Sequence, residues 1–245
     1  MTKTLVVSLG TNSYYAREAR RLEWSCKKFG EEHRVYAAEY PKGCPTQKEI
    51  PMGYKPFLML QAFEQGYDCV LWADSKITVI QPLDRLWEKI EKDGHFAIEG
   101  GWRVGQWASD DALRWLGITR KEAFRIHETS TAFFGLHKSR LPWLKEWQRS
   151  ATDRIWNVPS RAPFKMKRDC NVMKQYGSRG EQPVASALFH RMGMKLTNPP
   201  SDWWAYEVEP TPGKQLVTCT RLPAKGRDKK SRTWTKNFWL PPDEK

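Results

Sequence analysis

"YDCVLWADSKI", residues 67–77, decides how the chain is read. Five mostly apolar residues, Cys69 to Ala73, run straight into Asp74, Ser75 and Lys76, and a second apolar run, "ITVI", follows at once. A short apolar run bounded by turn residues reads as a buried strand. This strand ends on a carboxylate, a hydroxyl and a cation where an ordinary turn would suffice.

The flanking sequence alternates strand-like and helix-like stretches. "KTLVVSLG" (3–10) is a β-branched run closed by Gly. "SYYAREARRLEWSCKKFG" (13–30) sets Tyr15, Ala19, Leu22 and Cys26 on one helical face and stops at Gly30. "HRVYAAEY" (33–40) is a second strand, and "YKPFLMLQAFEQGYD" (54–68) a helix with Pro56 in its first turn. After "CVLWADS" come the helix "PLDRLWEKIEKDG" (82–94) and the strand "HFAIEGG" (95–101). Such alternation predicts an α/β fold, a mostly parallel sheet flanked by helices. In these sheets ligands sit beyond the carboxyl ends of the strands, where both "GTNSYY" and "ADSK" fall.

The second half is less regular. Helices are expected over 109–128, 140–156 and 181–193, and a strand over 130–139. A Pro-, Lys- and Arg-rich connection occupies 157–180, and the tail from 199 is rich in Pro and Trp. With no repeat and no clean linker, residues 1–245 read as one domain with an irregular basic C-terminal half.

The totals agree with a globular chain: 245 residues, 40% hydrophobic and 28% charged. Apolar stretches fall far short of the roughly 18 residues that span a bilayer. No signal peptide is expected from the N-terminal sequence. Five scattered cysteines without a CxxC pair argue against a disulfide framework or zinc site and for a cytoplasmic setting. The net charge of +13 points to a polyanionic partner, and the 13 tryptophans suggest rings on a binding surface. Solubility and core packing are the plainer readings of the same two features.

The order of these motifs resembles GT-A glycosyltransferases that use nucleotide sugars. The likeness rests on the first strand with "GTNSYY", the "KP" helix running through "FEQGYDCVLWADSKI", then "STAFFGL" and "RGEQPVASALFHRMGMKL". It covers roughly residues 3–100 and 128–197, and implies a GT-A-like, Rossmann-related sheet. Residues 1–101 would form the nucleotide-sugar-binding half and 102–245 the acceptor half. The implied donor is a nucleotide sugar, with UDP-glucose the default.

In that family a DxD motif holds the sugar or ribose through its first Asp, and Mn or Mg through its last. Asp74 matches the first position, Ser75 the middle and Lys76 the last. A protonated lysine cannot ligate a metal. Two readings are open: Asp74 holds a divalent metal with ligands from elsewhere, or a cation meets the diphosphate directly. Asp74 as a mere turn residue is the plain alternative. The resemblance further implies nucleotide contacts from Thr11, Asn12, Tyr14 and Lys55. Asn12 or Ser13 also suits a helix N-cap. Lys55 at a helix start opposes the dipole, which favours a functional reason for it. Glu181 and Gln182 fall where the family places its catalytic acidic pair, and a carboxylate there would deprotonate the acceptor. Glu181 also suits a plain helix N-terminus, and Glu99 and Glu128 are rival carboxylates.

Basic residues cluster in 161–179, with Lys165, Lys167 and Arg168, and in 221–236, with Arg227, Lys229, Lys230 and Arg232. Trp156, Trp203, Trp204, Trp234 and Trp239 are interleaved with them. Cations beside aromatics suit a nucleic-acid backbone and unstacked bases, although a charge run is also an ordinary solvated face. The combination is similar to bacteriophage enzymes that glucosylate 5-hydroxymethylcytosine in double-stranded DNA. The alternatives are a glycan or lipid-glycan acceptor, and a non-catalytic nucleic-acid-binding protein.

Overall fold

The computed structural model describes residues 2–156, 180–197, 203–206 and 214–219. The chain opens β1 (Thr4–Gly10), α1 (Ser13–Lys28), β2 (His33–Ala37), α2 (Tyr54–Glu64), β3 (Cys69–Ala73), β4 (Ile77–Val79), α3 (Asp84–Asp93) and β5 (His95–Arg103). Three short helices follow: α4 (Val104–Trp107), α5 (Asp110–Leu116) and α6 (Arg120–Ala123). Then come β6 (His127–His137), α7 (Leu141–Arg149), α8 (Asp153–Trp156), α9 (Glu181–Arg191), β7 (Trp204–Tyr206) and β8 (Val217–Cys219).

The main sheet has five strands in the order β2-β1-β3-β6-β5. β1 pairs in parallel with β2 and β3, while β6 runs antiparallel between β3 and β5. The sheet is therefore mostly but not wholly parallel. β6 comes from the second half of the chain yet fills the middle of the sheet, so the 1–101 and 102–245 segments share one framework.

Strand alternation sorts side chains into two layers. Leu5, Val7 and Leu9 of β1, with Val70 and Trp72 of β3, face α2, α7 and α9. Val6, Cys69, Leu71 and Ala73 face the opposite layer, which holds Leu22 and Cys26 of α1 and Leu86 and Ile90 of α3. That second layer also takes Ile77 and Val79 of β4 and Val217 of β8. The "ITVI" run thus belongs to a separate three-stranded sheet, β4-β8-β7. Among the described residues no helix is long and apolar enough to cross a membrane.

Local chemistry accounts for the element ends. Asn12 caps α1 by accepting from the Tyr15 N–H at 3.1 Å. At its other end Gly30 takes φ +72°, Glu31 N–H donates to Cys26 O and Gly30 N–H to Lys27 O, a Schellman motif. The single helix expected over 109–128 is broken at Gly117, which adopts φ +66°, and α6 restarts with a Thr119–Glu122 capping box. The helix expected over 140–156 breaks after Arg149, where Ser150 Oγ donates to Trp147 O and accepts from Trp156 Nε1. Trp156, expected among surface rings, is 2% exposed and packs on Trp147 at 5.6 Å. Trp72, Trp143 and Trp147 are equally buried, so core packing absorbs much of the tryptophan content.

Gly10 is a close-approach residue. A Cβ there would lie 2.4 Å from Tyr15 O and 2.8 Å from Ala16 N, both main chain. The contact lets the end of β1 meet the first turn of α1. Gly10→Ala is expected to destabilise the fold by about 1–3 kcal/mol through overpacking, read from denaturant midpoints.

Candidate active site

β3 ends where its pairing with β6 ends. Ala73 lies opposite Phe133, and Asp74 N–H donates the last ladder-like bond to Ala132 O at 2.8 Å. Asp74 O then accepts from Ile77 N–H at 2.8 Å, closing a turn over 74–77 that feeds β4. Asp is favoured at the first position of such turns. Here its main chain makes the turn, and its carboxylate is spent elsewhere. Arg21 of α1 anchors the turn from below by donating to Lys76 O at 3.0 Å.

The carboxylate of Asp74 meets two groups through one oxygen. Oδ1 accepts from Trp72 Nε1 at 2.8 Å and lies 3.2 Å from Lys55 Nζ. Lys55, expected at the nucleotide, is 2% exposed. Its ammonium donates to Glu181 Oε1 at 2.9 Å and to Thr131 O at 3.0 Å, so it has three oxygen neighbours. Thr131 Oγ1 also donates to Glu181 Oε1, at 2.9 Å. Burial alone would lower the pKa of Lys55; Asp74 and Glu181 outweigh it and hold the pKa above its ordinary value. The lysine is a cation locked between two carboxylates.

This gives Glu181 a part different from the one its position suggested. It is 4% exposed and serves as the inner counter-ion of Lys55. Gln182, its neighbour on α9, donates to Glu128 Oε2 at 2.8 Å and so ties the helix start to β6. Glu128 is wholly buried, and Glu99 pairs with His127 Nδ1. None of these carboxylates lines the cleft described next.

A cleft of about 440 Å³ opens beyond the carboxyl ends of β1 and β3, within the usual range for small-molecule sites. Leu9, Thr11, Asn12, Tyr15, Gln47, Met52, Tyr54, Asp74, Ser75 and Lys76 line it. Five of these, Thr11, Asn12, Asp74, Ser75 and Lys76, are residues that the sequence singled out. Tyr14 is outside the lining; its ring packs edge-on against Tyr15, which is inside. Helix phase decides between adjacent tyrosines, and Tyr15 was legible only as a residue of the apolar helical face. Gln47, Met52 and Tyr54 carried no motif.

Strand order grades the cleft. The loop after β2 brings Gln47 and Met52, the end of β1 brings Thr11 and Asn12, and the end of β3 brings Asp74, Ser75 and Lys76. Uncharged polar groups from the loop after β2 and the end of β1 therefore share the cleft with the charged turn after β3.

A divalent metal fits this donor set poorly. Asp74 is the sole carboxylate lining the cleft among the described residues, and its Oδ1 already faces Lys55. Among the described residues no three His, Cys, Asp or Glu side chains converge as a metal would need. Lys165, Lys167, Arg168, Arg227, Lys229, Lys230 and Arg232 lie outside the described residues.

Breaking the buried triad has a stated cost. Lys55→Met leaves Glu181 buried without its cation and is expected to destabilise the fold by about 3–5 kcal/mol by chemical denaturation. Adding Glu181→Leu should return part of that loss. Stability should also fall at alkaline pH. Lys55 is raised in the folded state, so its contribution is full below its unfolded value of about 10.4 and fades as pH climbs past it. The Tyr54 phenol, pushed up by burial and then by Asp74 and Glu181, adds a loss of the same sign from about pH 10. Urea titrations between pH 8.5 and 11 would show this decline, shallower in Lys55→Met.

No family model and no curated protein matches the sequence. The fold does match solved structures. A glycosyltransferase involved in the glycosylation of the major capsid of PBCV-1 superimposes with a TM-score of 0.53 at 16% identity, covering 89% of this chain and 93% of that one. The apo WbbM bifunctional glycosyltransferase gives a TM-score of 0.48 at 12% identity, over 84% of this chain and 40% of that one. The mixed α/β fold expected from the motif order is thus one that a glycosyltransferase of nearly the same extent shares.

Proposed function

We propose that the protein is a glycosyltransferase that moves a hexosyl group, glucose by default, from a nucleotide-sugar donor such as UDP-glucose to a hydroxyl acceptor. The observation that carries this reading is the Asp74–Ser75–Lys76 turn at the carboxyl end of β3. It shares a 440 Å³ cleft with Thr11 and Asn12 in a fold that a glycosyltransferase also has. The ribose or sugar hydroxyls would donate to Asp74 Oδ2, the carboxylate oxygen turned from Lys55 and Trp72.

The acceptor oxygen bonds to the anomeric carbon as the diphosphate leaves with the bonding pair, and the hydroxyl proton passes to solvent water. Negative charge grows on the departing diphosphate, and a cation fixed beside it lowers the barrier. Lys76, in the cleft wall, supplies that charge, and no step runs through a metal. Glu181 is a positioning residue: it holds Lys55, and Lys55 holds Asp74.

For the acceptor, the net charge of +13 and the basic runs around Lys165–Arg168 and Arg227–Arg232 favour a polyanion. Double-stranded DNA carrying 5-hydroxymethylated pyrimidine meets that requirement and offers a primary hydroxyl. A glycan acceptor is the second reading, favoured by the capsid-glycosylating neighbour. Residues 1–101 would serve the donor and 102–245 the acceptor.

Labelled nucleotide sugars offered with hydroxymethylated DNA, plain DNA and oligosaccharides separate these readings. Transfer to hydroxymethylated DNA alone is the expected result; transfer to oligosaccharides alone would move the acceptor to a glycan. No turnover of any donor would favour a binding protein that kept only the fold. Asp74→Ala should abolish transfer, and chelator should leave the rate unchanged. DNA affinity should drop steeply between 50 and 200 mM salt, in step with the number of phosphates the basic runs neutralise, on the order of a thousandfold for six contacts.

A further inference from the structure

The loop between β2 and α2, residues 38–53, puts a side chain of fixed polarity into the cleft wall. Gln47 lines the cleft, and its Oε1 accepts from Met52 N–H at 3.1 Å. A main-chain N–H can only donate, so the carboxamide end that meets it must be the oxygen. The other end of the carboxamide is then Nε2, which offers donors only.

The rest of the loop holds this orientation. Gln47 N–H donates to the Tyr40 hydroxyl at 3.2 Å, which pins the residue from its other side. Tyr54 OH donates to Met52 Sδ at 3.0 Å, and Lys55 N–H to Met52 O at 3.0 Å. Met52 sits at φ +65°, a left-handed conformation unfavourable for a non-glycine residue. That strain aims the Met52 N–H at Gln47. Tyr15, which also lines the cleft, offers a ring on which a flat heterocycle can stack.

We propose that Gln47 determines which nucleobase the donor carries, by donating to a ring carbonyl oxygen. The inference rests on the nucleotide-sugar reading above and deepens it. The oxygen meant is O4 of uracil or O6 of guanine, where cytosine and adenine carry the N4 and N6 amino groups; the O2 that uracil and cytosine share would not tell them apart. An amino group against Gln47 Nε2 sets donor against donor, leaving both unpaired on desolvation. The cleft selects keto bases, and the end bearing Asp74 and Lys76 takes the diphosphate.

The test is calorimetric titration of the full-length protein with UDP, CDP, GDP and ADP. UDP is expected to bind about tenfold more tightly than CDP, the effect of one mispaired polar contact. Gln47→Glu keeps an oxygen for the Met52 N–H and turns the other oxygen to the ligand. It should erase the UDP preference or reverse it toward CDP, with an unchanged thermal midpoint showing that the loop is intact. Gln47→Ala should lower UDP binding and bring the two ligands level. Equal affinity of the wild type for UDP and CDP would overturn the assignment, as would a UDP/CDP ratio unmoved in both variants. A uniform loss of all four ligands in the variants would reduce Gln47 to a structural role. Failure of all four to bind the wild type would overturn the nucleotide-sugar reading itself, and this assignment with it.

Discussion

A single buried ammonium ties the molecule together at its site. Lys55 of α2 reaches the carboxylate of Asp74 after β3, the carboxylate of Glu181 at the start of α9 and the Thr131 carbonyl on β6. Four elements far apart in sequence meet at one charge. Loss of the lysine would leave Glu181 buried without its cation, where the penalty is several kcal/mol. The arrangement is costly to form and rigid once formed, and it fixes one oxygen of the Asp74 carboxylate.

Charge balance explains the division of labour between the two acids. One cation lies between two carboxylates, so one negative charge is left over. Glu181 is 4% exposed and receives two donors at the same oxygen, whereas the Asp74 side chain is 28% exposed and borders the cleft. Asp74 is therefore the acid of the pair that solvent or a polar ligand can meet. Lys76 then places a second cation at the same rim, on a turn whose carbonyl is fixed by the buried Arg21.

Aromatic packing links this ionic centre to the rest of the cleft wall. Tyr40 packs against Tyr54 at 6.3 Å, Tyr54 against Trp72 at 5.8 Å, and the Trp72 indole donates to Asp74. Lys55 Nζ also stands 5.7 Å from the Trp72 ring, a cation–π contact in a desolvated setting. The same tyrosine that supports the Asp74 side therefore braces Met52, and Tyr40 braces Gln47. The Gln47 and Asp74 ends of the cleft therefore share one packed scaffold.

Periodicity and punctuation in the sequence were enough for the alternation of β1, α1, β2, α2, β3, α3 and β5, for helices on both faces of the sheet and for the polar end of β3. Those features arise from local patterns: alternation along strands, glycine stops and a polar end to an apolar run. Thr11, Asn12, Asp74, Ser75 and Lys76 were legible as cleft residues for the same reason, since residues just past parallel strands gather at the carboxyl edge of the sheet. What pairs with what was decided only in three dimensions. The antiparallel course of β6 and its place inside the sheet bring Glu181 beside Lys55, 126 positions away. That contact makes Lys55 a buried strut, where its match to a basic position of the family suggested a nucleotide contact. Gln47 lay in a polar loop with no motif, and its meaning depends on a backbone N–H five residues on, presented by a strained φ. Local sequence carries information about periodicity and breaks. Side-chain partners across the fold depend on register and packing, because hydrogen bonds and ion pairs form between surfaces that chain order does not bring together.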